Sequence, residues 1–149
     1  MNTLASIRPD SWNFPLLLHV VGAAVLVGAV ASAVVATLSA ERTAQPDFMR
    51  RIAFRSLWMV GVPAYILMRV GAEWIYDKEF GDAEDDPAWI GIGYITADLG
   101  LLIFLIALGL AGFAARRKSA GLGKVSGYLG VLLLIAFVVV IWAMGAKPD

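Results

Sequence analysis

The fold is decided by a 25-residue apolar run at residues 14–38, with the sequence FPLLLHVVGAAVLVGAVASAVVATL. A helix needs about 20 apolar residues to cross the hydrocarbon layer of a bilayer. Three further apolar runs follow, at residues 53–76, 89–115 and 125–146. Because these runs do not alternate between apolar and polar residues as barrel strands do, only a helix satisfies their backbone groups in lipid. The sequence therefore predicts four membrane-spanning helices.

The composition of the 149-residue chain agrees with a membrane location. Hydrophobic residues make up 60% and charged residues 16%, and the mean hydropathy is +0.77, well above that of an ordinary soluble domain. The formal net charge is zero and there is no cysteine, which excludes nucleic-acid binding by a basic surface, disulfides and thiolate chemistry. Because short polar links make sequential helices antiparallel neighbours, residues 1–149 are predicted to form one all-α domain, an up-down four-helix bundle.

The charges of the links predict the orientation of the bundle. The links at residues 39–52 and 116–124 are rich in arginine and lysine, whereas the link at residues 77–87 holds six acids and one lysine. Cytoplasmic loops of membrane proteins have an excess of basic residues. We therefore expect both basic links in the cytoplasm, and the acidic link and both termini outside a bacterial plasma membrane. The first apolar run is longer than a signal-peptide core, so we expect it to be retained.

Three ionisable residues lie at similar depths in the predicted spans. His19 is about six residues inside the first helix, Arg69 about seven before the outer end of the second, and Asp98 about nine into the third, which places them ~10–13 Å below the outer surface. Each ionised group near the bilayer centre costs ~2.5–3.5 kcal/mol. Since separate placement of three such groups would be costly, we predict an Arg69–Asp98 ion pair between the second and third helices, with His19 beside it.

Helical spacing adds further residues to this site. Tyr65, Arg69 and Glu73 recur every four residues on one face of the second helix, and Tyr94 and Asp98 share a face of the third. Arg69 and Glu73 also have the spacing of an ion pair within one helix. The residues that together predict an outward-facing polar binding cavity are His19, Tyr65, Arg69, Glu73, Tyr94 and Asp98.

Three interpretations of this site stay open. Intramembrane ionisable groups favour a non-enzymatic site that binds or passes a small ion, a proton or a polar solute, or that belongs to an accessory subunit. In the second interpretation the protein is a structural scaffold, and the buried arginine–aspartate pair only determines which faces of the two helices meet. The third interpretation is a haem b or copper centre with His19 and Met68 as ligands. Two side chains are a small set of ligands for a redox metal. We predict no resident cofactor.

Two further features predict how the helices pack. Pro63 removes a backbone hydrogen bond near the middle of the second helix and should kink it. Small residues recur every four positions at Ala24, Gly28, Ser32 and Ala36, and such a stripe lets another helix approach closely. We expect the stripe to face a helix of the same chain, with a homodimer or larger membrane complex as the alternative. The other expected partners are membrane lipids, with anionic headgroups at the basic links.

The sequence resembles known membrane families in three helices. Residues 18–24, LHVVGAA, resemble the opening helix of several small bacterial membrane families. Residues 63–72, PAYILMRVGA, and residues 89–98, WIGIGYITAD, are similar to the second and third helices of an uncharacterised actinobacterial family of four-helix integral membrane proteins. That resemblance implies a four-helix fold and a location in the membrane, but it implies no established activity. A more distant likeness, through His19 alone, is to the copper-resistance D membrane domain and the bacterial haem-binding protoporphyrinogen oxidase, whose second axial ligand has no counterpart here.

Overall fold

A computed structural model describes residues 10–80 and 88–146, and within these two ranges the chain is almost entirely helical, with no strand. This confirms the all-α class. Short 3-10 turns at Asp10–Trp12 and Ala40–Arg42 flank the first helix. The helices are α1 (Asn13–Ser39), α2 (Pro46–Arg55), a π-helical segment (Ser56–Gly61), α3 (Val62–Phe80), α4 (Ala88–Arg117) and α5 (Ala120–Ala146). There is no break in the chain of helical residues from α2 through the π segment to α3.

Among the residues that the structure describes, three helical stretches are long and apolar enough to cross a membrane. They are Asn13–Arg42, Ala88–Arg117 and Ala120–Ala146, which match the first, third and fourth predicted spans. The second predicted span, residues 53–76, is not among these stretches, and its α3 part is rich in charge. In its 19 residues, α3 has five charged side chains, namely Arg69, Glu73, Asp77, Lys78 and Glu79.

The helices contact one another along antiparallel faces. Gly22 of α1 lies against Met68 of α3, and His19 lies against Gly71, so the numbering falls in one helix as it rises in the other. Along α4 and α5, the Ser126 hydroxyl donates a hydrogen bond of 2.8 Å to the carbonyl oxygen of Ala107. The core between the helices is rich in alanine, and small residues let helices approach closely in the absence of a hydrophobic driving force. Its buried members are Leu26, Val30, Ala33, Ala36, Ala53, Leu57, Ala64, Phe104, Leu108, Ala111 and Leu133.

The expected distortion at Pro63 takes the form of the π segment just before it. Proline has no N–H to donate to the carbonyl of the preceding turn. The Val62 N–H donates instead to the Leu57 oxygen, five residues back, which is the π-helical pattern. At the start of this segment the Ser56 hydroxyl donates a 3.0 Å hydrogen bond to the Ala29 oxygen of α1. The helix is therefore π-helical just before Pro63, and the start of this segment is bound to α1 by the Ser56 hydroxyl.

The small-residue stripe of α1 faces outward along most of its length. Ala24, Gly28 and Ser32 are exposed, and a Cβ added at Gly28 would have no neighbour within 4 Å, whereas Ala36 is buried. The expectation that the stripe faces a helix of the same chain is therefore wrong for its first three members. The reason is the close contact of Gly22 with α3, because a position six residues further along lies about 240° around the helix.

Candidate functional site

The ion pair expected between the second and third spans is present. The Nη1 atom of Arg69 in α3 lies 3.3 Å from Oδ1 of Asp98 in α4. The Nε atom of the same guanidinium lies 3.0 Å from Oε1 of Glu73, one turn further along α3. A guanidinium presents five N–H donors in a rigid fork, so Arg69 binds both carboxylates at once. The three side chains together have one negative charge in excess.

Two tyrosines hold α3 and α4 together around this ion pair. The Tyr94 hydroxyl donates a 3.0 Å hydrogen bond to Oε2 of Glu73. The Arg69 Cζ atom lies 4.9 Å from the centre of the Tyr94 ring, close enough for a cation–π interaction. On the other side, the Tyr65 hydroxyl donates a long hydrogen bond of 3.5 Å to the carbonyl oxygen of Ala97. Tyr94 therefore contacts both Arg69 and Glu73, while Tyr65 joins α3 to the backbone of the residue before Asp98.

We call Arg69, Glu73, Tyr94 and Asp98 the Arg69 cluster, and it lies at the surface of the chain. The side chain of Asp98 is 65% exposed, that of Glu73 49% and that of Arg69 28%. The neighbours of Asp98 along the same helix are exposed and apolar, namely Ile95, Leu99 and Leu102. A single copy of the chain therefore does not enclose these charges in the cavity that the sequence predicts.

His19 lies on the other side of α3. Its Nδ1 is 3.1 Å from the backbone oxygen of Met68, and its backbone contacts Gly71. Because a carbonyl oxygen only accepts, Nδ1 has the proton in this contact, and Nε2 is left as an acceptor or ligand. Met68 and Arg69 are about 100° apart around the helix. The structure thus divides the single predicted site into His19 at the α1 contact and the Arg69 cluster at the α4 contact.

The residues around His19 offer few ligands for a metal. Met68 contributes its backbone oxygen to the contact, while its side chain packs against the hydrophobic core. Across residues 10–80 and 88–146, no group of three or more His, Cys, Asp and Glu is placed to hold a metal ion. The contact joins His19 to the backbone of Met68 and leaves Nε2 of His19 outside the hydrogen bond.

A second ion-pair network joins the two basic links. The Arg50 side chain, only 6% exposed, donates to Glu41 and, at 2.7 Å, to Oδ1 of Asp47, while Lys118 Nζ lies 3.2 Å from Oδ2 of Asp47. From the sequence we assign Arg50 only a role in orientation. The signal that points to the network is the presence of two acids in a basic link, one of them three residues before Arg50. The network places both basic links at the same end of the described chain.

The electrostatics of this network favour the ionised form of Asp47. The hydrogen bond from Lys118 lowers the pKa of Asp47 below its ordinary value of 3.8, and the charges of Lys118 and Arg50 lower it further, whereas burial acts in the opposite direction. A hydrogen bond or a positive charge close to a carboxylate stabilises its ionised form. The carboxylate of Asp47 is therefore ionised at neutral pH and bridges a buried arginine to the lysine of the other link.

No protein-family model matches the chain, and neither the curated proteins nor the solved structures include one that is similar enough to count as a match.

Proposed function

We propose that this protein binds a small monovalent cation or a proton at the Arg69 cluster within the membrane, without catalysing a reaction. The observation that carries the proposal is the charge balance, since Glu73 and Asp98 both pair with Arg69 and leave one negative charge in excess. An anionic solute would have to displace a carboxylate from Arg69. A cation or proton instead adds to carboxylate oxygens that are already exposed. Its binding therefore costs less free energy than the binding of an anion, which must first break an ion pair.

The membrane arrangement that we propose is an up-down four-helix bundle in the bacterial plasma membrane. Three apolar helices and the antiparallel contacts support it, with residues 53–76, which comprise the end of α2, the π segment and most of α3, as the remaining span. The bridge between Asp47 and Lys118 supports a common side for both basic links. By the positive-inside rule that side is the cytoplasm, with the acidic link and both termini outside. An impermeant thiol label that reached an Arg117→Cys variant from outside intact cells would contradict this orientation.

The cluster needs a cover if it is to pass a solute across the membrane. Asp98 is 65% exposed among apolar side chains, and a charge in contact with acyl chains is costly. We propose that a second copy of the chain, or a larger membrane complex to which it belongs as a subunit, supplies the missing wall. The exposed apolar side chains beside Asp98, namely Ile95, Leu99 and Leu102, support a partner that would cover them together with the cluster.

Thermal unfolding in a mild detergent tests the proposed binding. A ligand that binds only the folded state stabilises it, by about 2.7 kcal/mol when its concentration is one hundred times the Kd. We expect the unfolding midpoint of the wild type to rise when sodium or potassium replaces the bulky cation N-methylglucamine at constant ionic strength. The Asp98→Asn variant should lose this response. The matched control is Asp77→Asn, which removes an exposed carboxylate on α3 outside the cluster and should keep the response. Equal responses in both variants would contradict the proposal.

A haem or copper centre at His19 is a second proposal, and one observation favours it. The hydrogen bond from Nδ1 to the Met68 oxygen leaves Nε2 free, and metal-binding histidines commonly donate their other ring nitrogen to a carbonyl in this way. The absorption spectrum of the purified protein tests it. A Soret band that disappears in His19→Ala would support a haem, whereas a colourless, copper-free preparation would contradict the proposal.

A further inference from the structure

A groove on the surface between α2 with its π segment and α4 offers about 530 Å³ of space. Its walls are aromatic and apolar, and one arginine lies at its end. The residues that line it include Phe54, Trp58, Leu105, Gly109, Phe113 and Arg116. We propose that this groove binds an anionic phospholipid, with an acyl chain along α4 and the phosphate group at Arg116. This site is separate from the Arg69 cluster and does not depend on its ligand.

The length of the groove fits one leaflet of a bilayer. From Leu105 to Arg116, α4 advances by about 17 Å at ~1.5 Å per residue. Half of a typical hydrocarbon layer is about 15 Å. An acyl chain that follows the groove therefore ends near the bilayer midplane at Leu105, and its headgroup lies level with Arg116.

Two glycines shape the groove. A Cβ at Gly112 would lie 3.1 Å from the Phe54 ring, so the glycine lets that ring lie directly against α4. A Cβ at Gly109 would have no neighbour within 4 Å, so the space beside it is open. The floor of the groove is thus closed by an aromatic ring while its middle stays free, which is the shape that a flexible hydrocarbon chain fills.

The charge at the end of the groove complements an anionic headgroup. Arg116 lines the groove, and the Arg117 guanidinium lies 5.6 Å from the centre of the Phe113 ring on its wall. The acids Glu41 and Asp47 at this end of the described chain are already paired in the Arg50 network. Both arginines therefore have no acidic partner among the residues that the structure describes. In the proposed orientation they face the cytoplasmic leaflet, which is the negatively charged one.

Native mass spectrometry of protein extracted from vesicles tests the proposal. The vesicles contain equal amounts of phosphatidylglycerol and phosphatidylcholine, and the retained lipids are identified by mass. We expect the wild type to keep phosphatidylglycerol in preference to phosphatidylcholine. Arg116→Gln should lower that preference about fivefold, the effect of one basic residue near anionic lipid. The matched control Lys124→Gln removes an exposed charge outside the groove at the same end and should leave the preference unchanged.

A second pair of variants tests the groove itself. Gly109→Leu fills the open space and should remove the retained lipid whichever headgroup it has. Gly121→Leu adds the same side chain at another open glycine, outside the groove, and should not. Retention of both lipids to equal extents, or a preference that Arg116→Gln and Lys124→Gln change equally, would overturn the proposal. So would a lipid-free dimer that Gly109→Leu dissociates, because a second copy would then occupy the groove.

Discussion

The contact between α1 and α3 allows the most direct prediction of a stability change. A Cβ added at Gly71 would lie 2.4 Å from the backbone nitrogen of His19 and 2.7 Å from the Pro15 oxygen. Backbone atoms in a helix cannot move aside as the end of a side chain can. To bring the shortest distance to the 3.4 Å of ordinary contact, the two helices must separate by about 1 Å. The same movement stretches the 3.1 Å bond from His19 Nδ1 to the Met68 oxygen beyond hydrogen-bonding distance.

These terms give the expected magnitude for Gly71→Ala. Overpacking costs about 1–3 kcal/mol, the lost hydrogen bond costs about 0.5–1.5 kcal/mol, and alanine in a helix returns about 0.5–1 kcal/mol. We expect a net loss of about 0.5–4 kcal/mol in the free energy of unfolding. Unfolding by a denaturing detergent in mixed micelles, followed by tryptophan fluorescence, measures it.

The matched control is Gly28→Ala on the outer face of α1. No atom lies within 4 Å of the added methyl group there, so this variant should be as stable as the wild type or up to about 1 kcal/mol more stable. If Gly71→Ala and Gly28→Ala had the same stability, the close approach of α1 and α3 described above would be refuted.

Three further predictions concern the ion pairs. In a double-mutant cycle, Arg69→Gln and Asp98→Asn should show a coupling energy of at least about 0.5 kcal/mol in unfolding experiments, and additive effects would contradict their contact. Arg50→Gln should lower the free energy of unfolding by about 1–3 kcal/mol because it removes the charge-assisted hydrogen bonds of a buried guanidinium to Glu41 and Asp47, whereas exposed Arg51→Gln should change it by less than about 0.5 kcal/mol. Because the pKa of Asp47 is lowered in the folded state, the ionised side chain stabilises the fold above pH 3.8, and this contribution is lost as the pH falls through the folded-state pKa. In an acid titration of unfolding, the Asp47→Asn variant should lack this loss of stability.

The apolar runs predicted most of the fold because their physical constraint is local. In lipid, only a helix satisfies the backbone hydrogen bonds of a continuous apolar run such as residues 14–38, and the helix that this run predicts is present. The direction in which such a helix faces is not a local property. Gly28 and Gly22 look equivalent in sequence, yet only Gly22 contacts α3, because the face is chosen by the fit of two helices.

The candidate site was predictable as far as helical spacing and depth allow. The match in depth between Arg69 and Asp98, and the four-residue spacing to Glu73, predicted contacts that the structure contains. The same depth argument placed His19 beside them. Depth does not fix the angle around an axis, and His19 approaches α3 at Met68, about 100° from Arg69. The Asp47–Arg50 pair has a local signal in its three-residue spacing, whereas the bridge from Asp47 to Lys118 depends on how two distant links meet, which no local pattern reveals.

The carboxylate of Asp98 gives a direct spectroscopic readout of cation or proton binding at the Arg69 cluster. Infrared difference spectra of the reconstituted protein, recorded on exchange of sodium for N-methylglucamine, report the carboxylate stretches of the groups that bind the cation. We predict a carboxylate difference band in the wild type and in Asp77→Asn that is missing in Asp98→Asn. A wild type without such a band under sodium, potassium or a change in proton concentration, or an Asp98→Asn variant that keeps the band, would contradict a cation or proton site at the Arg69 cluster.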